Sequence, residues 1–243
     1  MRSETHRKII AWYIRFDLFA GLMSGNETVL GREWHVACAD FYARQARDKP
    51  KDLNSLFEAR FSKSRLVAVD IAILFARKQK GISDDESFGK DVTRLMLDLE
   101  KMGNDLENAF SDTRKFVSDF PHAPAQKLDD VVDSTDPNFL WADELFTWNF
   151  ILIDFWAILL LFQSQVAQFN PVISGEEVVG TARKICKMFE ALQYCGKDTK
   201  GMILGVQASL GMAATCLPKD QKTMMWCRRK YAAIEQCGYV DDS

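Results

Sequence analysis

Three aspartates stand on helix faces that are otherwise apolar. Asp17 has Ile14 and Gly21 three and four residues away, Asp70 has Leu66, Val67, Ile73 and Leu74, and Asp154 has Phe150, Ile151, Ala157 and Ile158. Side chains at these separations share a helix face, so each carboxylate is expected to be partly or wholly buried. A buried carboxylate must find a donor or a cation, or take up a proton. Two chemistries follow. Paired with cations from other helices, with Arg15, Arg65, Arg228 and Arg229 as candidates, the acids are struts that fix helix register. Gathered in a pocket without an Arg, two of them could act as general acid and general base. Arg15 cannot serve Asp17 from the same helix, because residues two apart point away from each other. The strut reading is the stronger one, with Arg15, Asp17, Asp70, Asp154 and Arg228 as the buried polar set.

Other constellations are thinner. His35 and Cys38 lie three apart on one predicted helix and could supply half a zinc site, but no matched second half follows. The six cysteines, Cys38, Cys186, Cys195, Cys216, Cys227 and Cys237, are scattered, and no two are separated by two residues as metal sites prefer. They read as reduced thiols acting as small hydrophobes. Nucleophile-elbow and phosphate-loop patterns are absent, and the run from Gly196 to Gly201 has the wrong glycine spacing and reads as a turn. No catalytic, cofactor or metal residue is assigned. Trp12, Trp141, Trp148, Trp156 and Phe150 read as core, although an interior so rich in aromatics could enclose a small apolar ligand.

The elements that must position these residues are helical. The 243-residue chain is 47% hydrophobic and 27% charged, which is globular composition. Its net charge of -3 makes it a poor partner for a phosphate backbone. The apolar run from Phe150 to Phe162 falls short of the ~20 residues of a spanning helix and contains Asp154, so a core helix is expected and no membrane partner. The i, i+3, i+4 pattern recurs throughout, with almost no strand. Helices are expected over about 7–23, 32–47 and 51–80, the last with Gly81 as C-cap. Ser83 and Glu86 suggest a capping box opening a segment that reaches Phe120, kinked near Gly103. An acidic, Pro-containing loop with few contacts is expected near 121–137. Further helices follow over 138–169, from Ser174 or Gly175 to Cys195, over 200–216, and from Pro218 to Cys237. The expected fold is all-α, a single domain over 1–243 built as one bundle of roughly eight to ten helices.

Two stretches carry a resemblance. Tyr13, Arg15, Phe16, Asp17, Gly21, Gly25 and Trp34 near the start, and Leu217-Pro218-Lys219-Asp220, Trp226 to Glu235 and Gly238-Tyr239-Val240 at the end, are similar to the regulatory region of fungal zinc-cluster transcription factors. Asn149 and Asp154 fit its central helix more loosely. The resemblance implies a non-catalytic regulatory domain in the nucleus that senses a small molecule or contacts the transcription machinery or a homologous factor. Its zinc belongs to a cysteine cluster that is not in this chain, so no direct DNA binding is expected. The chain then reads as a fragment, a shortened gene product or a paralogue. The alternative is a stand-alone helical enzyme of secondary metabolism that uses buried aspartates in an aromatic-lined pocket.

Overall fold

The computed structural model describes residues 4–110, 115–121, 123–125, 130–133, 135–136, 138–169, 174–197, 203 and 205–238; the side chains of 4–8, 11, 12, 15, 19, 23, 237 and 238 lie outside that description. Among the described residues there are eight α-helices and no strand. The all-α expectation therefore holds. The chain divides into two compact units, Met1–Glu107 and Asn108–Ser243.

The first unit holds α1 (Glu4–Ser24), α2 (Arg32–Asp48), α3 (Leu53–Gln79) and α4 (Asp85–Glu107). Helix α3 is central and packs against the other three. Its C-terminal half buries Ala68, Val69, Ile71, Ala72, Leu74, Phe75 and Ala76, so it is apolar on nearly every side there, as a helix with several neighbours must be. Its start is fixed by Asp52, whose carboxylate accepts the Ser55 N–H, and its end by Gly81. Gly81 has φ +67°, and the Ile82 and Gly81 N–H groups donate to the carbonyls of Arg77 and Lys78, the paired bonds of a Schellman turn.

Helix α4 departs from expectation at both ends. Asp84, and not Ser83, caps it, accepting the Ser87 N–H at 2.7 Å. It runs unbroken through Gly103 and stops at Glu107. Phe88, Val92, Leu95, Leu99, Met102 and Leu106 are buried at alternating four- and three-residue spacing across that glycine. Their packing outweighs the ~1 kcal/mol that a helical Gly costs relative to Ala.

The second unit holds α5 (Trp148–Phe169), α6 (Gly175–Tyr194), α7 (Gln207–Cys216) and α8 (Gln221–Gly238). The segment at Phe116 is extended and forms one isolated bridge with Trp141. A 3-10 turn, Asp143–Leu145, leads into α5. Helix α5 is long and apolar enough to cross a membrane, but 78% of its apolar window is buried inside the protein, where it packs on α6 and α7. Asn149 organises its entry: it accepts the Trp141 N–H at 3.0 Å and donates to the carbonyls of Trp141 and Phe146. Helix α6 starts where expected, at Gly175, and Ser174 caps it, accepting the Glu177 N–H. Helix α8 begins later than Pro218, because the Asp220 carboxylate accepts the Thr223 N–H at 2.8 Å. The start of the helix expected from Lys200, with Gly201, lies outside the described residues, as do Tyr239 and Val240.

Candidate functional site

Asp17 and Asp70 are engaged by different partners. Asp17 is 8% exposed and accepts the N–H groups of Val29 and Leu30, each at 2.8 Å. Among the described residues its hydrogen-bond partners are backbone N–H groups and not an Arg. The chain reaches it through a turn in which the Asn26 N–H donates to the Gly21 carbonyl and Gly25 adopts φ +70°. Asp70 is half-buried and takes Arg32 in a two-point contact, Nε to Oδ1 at 2.5 Å and Nη2 to Oδ2 at 3.1 Å. The cation is Arg32, which opens α2, the helix that packs along α3, and not Arg65, Arg228 or Arg229. Arg65 is buried with its guanidinium carbon 3.7 Å from the Phe61 ring centroid. Asp154 is 4% exposed within α5. Arg228 is exposed, and the buried cation of α8 is Lys230. The side chains of Trp12 and Arg15 lie outside the described residues.

Lys230 belongs to the most chemically developed site. Thr223, Trp226, Lys230 and Ile234 fall on the buried face of α8, and Ala182, Ile185, Cys186, Phe189 and Glu190 on that of α6. Where these faces meet, the Lys230 ammonium donates to Glu190 Oε2 at 2.6 Å, Gln193 Oε1 at 2.9 Å and Tyr194 Oη at 3.3 Å. Trp226 Nε1 donates to Glu190 Oε1 at 2.6 Å. The ammonium also lies 5.0 Å from the Tyr194 ring centroid and 5.7 Å from that of Trp226. All three ammonium hydrogens thus have acceptors, and both carboxylate oxygens have donors. Sequence reasoning missed this pair; the signal was the spacing that puts Glu190 and Lys230 four residues after Cys186 and Trp226 on apolar faces.

A cavity of about 160 Å³ opens on this pair, with Gln193, Tyr194 and Arg229 on one side and Asp130, Asp133 and Thr135 on the other. The acidic segment over it is better anchored than its composition suggested. Asp136 accepts from Lys187 at 2.6 Å, which holds its carboxyl below the usual carboxylate range, and Arg229 lies 3.6 Å from Asp130. Within that segment Asp133 Oδ1 accepts the Thr135 N–H and hydroxyl.

A smaller void, about 20 Å³, lies in the first unit between His35, Cys38, Glu58, Ser62 and Arg65. It has room for about one water. His35 is 2% exposed, and neither ring nitrogen has a hydrogen-bond partner among the described residues. Burial pushes its pKa down and pushes those of Cys38 and Glu58 up. Among the described residues no three His, Cys, Asp or Glu side chains gather as a metal site requires.

Of the aromatic residues expected to wall an apolar pocket, Trp141 and Trp148 stack on each other, Trp156 stacks on Phe139 and Phe150 meets Phe146 edge on. Trp148 is fully buried, with the Trp141 and Phe110 ring centroids at 6.0 and 5.1 Å. Compared with known protein families, curated proteins and solved structures, the chain matches none.

Proposed function

We propose that this chain is a non-catalytic, ligand-sensing regulatory domain of the fungal transcription-factor type, acting in the nucleus on an attached or associated DNA-binding module. The observation that carries the reading is the saturated Glu190–Lys230 pair under the polar cavity. Glu190 and Lys230, engaged with each other and with Trp226, Gln193 and Tyr194, form a fixed polar floor suited to hold a small molecule, and neither is poised to exchange a proton with it. The ligand is then polar, in place of the apolar one expected from the aromatic content. Protein contacts have a surface as well: Ile9, Tyr13 and Phe16 are exposed at four- and three-residue spacing along α1.

The test is a thermal-shift screen of the purified chain against small polar metabolites, with a DNA mobility shift in parallel. A ligand at a hundred times its Kd stabilises by about 2.7 kcal/mol. A saturable rise in Tm without turnover, and no DNA shift at moderate salt, is the expected result. A tight, salt-dependent DNA shift by this chain alone, or turnover of a bound compound, would overturn the proposal.

A further inference from the structure

We infer that the cavity of the second unit selects small organic cations, amines or quaternary ammonium compounds; this rests on the reading of that cavity as the sensing site. Charge points the same way. The lining carries the carboxylates of Asp130, Asp133 and Glu190 against the cations Arg229 and Lys230, which leaves it net negative. Hydrogen-bond capacity does so too. Lys230 and Trp226 already direct their N–H groups to Glu190, Gln193 and Tyr194, and Arg229 lies 3.6 Å from Asp130, so both cations of the lining already face a carboxylate and an anion would have to compete with it. Asp133 engages Thr135 through Oδ1, and its Oδ2 has no donor among the described residues, so it is open to one from the cavity. The protein also solves this recognition problem once already. Its own Lys230 ammonium is held by a carboxylate, an amide oxygen, a phenol oxygen and two aromatic rings. These are the groups that recognise ammonium ligands in general. The cavity continues from that environment toward Asp133.

The experiment titrates the full chain with ethylammonium, putrescine and choline, and with acetate, phosphate and glycerol as anionic and neutral comparators. Binding is read by Tm and located by the NMR signals of the Tyr194 ring and the Trp226 indole. Ammonium compounds are expected to raise Tm and move both signals. Asp133→Asn should weaken their apparent Kd about tenfold, the loss of one charge-assisted contact. Asp133 is exposed, so the variant should keep the wild-type Tm without ligand. If acetate, phosphate or glycerol moves those signals and the amines do not, the inference fails while the sensing role stands. If Asp133→Asn binds amines as well as wild type, the inference also fails. If no compound moves them, both fall.

Discussion

Glu190 and Lys230, forty residues apart in sequence, meet at 2.6 Å in the interior of the second unit, where they are 4% and 6% exposed. The contact joins α6 to α8 and sets the floor of the cavity. Taking two charges out of water is costly, and their attraction returns that cost only when the geometry is good and the other polar atoms are satisfied. Here Trp226, Gln193 and Tyr194 supply those partners.

Removing one member should therefore hurt more than removing both. Lys230→Met leaves the Glu190 carboxylate buried with Trp226 alone, and is expected to cost about 3–5 kcal/mol. Combining it with Glu190→Leu should recover much of that loss. Urea denaturation of the two single variants and the double variant gives the coupling directly. Additive losses would show that the pair does not act as a unit.

Asp17→Asn should destabilise the first unit by about 1–3 kcal/mol. An amide keeps one acceptor for the N–H groups of Val29 and Leu30 and turns an N–H donor toward the other. Hydrogen exchange at those two amides should speed up more than exchange in α4. Unchanged protection at Val29 and Leu30 would exclude that role for Asp17.

His35 makes the first unit sensitive to mild acid. Burial dominates and lowers its pKa from 6.5; Arg65 adds to the lowering, while Asp17, Asp70 and Glu33 oppose it. The folded state thus prefers the neutral ring, and the unfolded chain binds more protons once the pH falls below about 6.5. Stability should fall as pH drops through that value, with no contribution from His35 above it. Glu58, raised by burial, acts in the opposite direction at lower pH. The difference between wild type and His35→Phe isolates the histidine: the variant should gain relative stability as the pH falls from about 7 to about 5. Parallel pH profiles would show that His35 does not titrate with folding.

Cysteine labelling should follow burial. Cys38, Cys186 and Cys195 are buried, and burial pushes the Cys38 and Cys186 thiols up, so they should resist iodoacetamide in the native protein. Cys216, half-buried, should react before them. Mass spectrometry of native and urea-unfolded samples reads the order. Early labelling of Cys186 would mean that α6 is not packed as described.

The helices were legible in the chain alone, because their signals are local. Ser174 and Gly81 punctuate it as a capping hydroxyl and a freely rotating backbone require, and the apolar spacing along α4 and α6 names their buried faces. Asp17, Asp70 and Asp154 could likewise be marked as carboxylates on apolar faces. Their partners could not be read. Asp70 is served by Arg32, thirty-eight residues away, and Asp17 by backbone N–H groups that any residue but proline carries. The spacing puts Glu190 and Lys230 on apolar helix faces, but that the two meet was decided only when helices from distant parts of the chain packed together. Helix periodicity is written in neighbours three and four residues apart. The partner of a buried charge, and so the chemistry of the cavity, is settled when packing removes water from both groups at once.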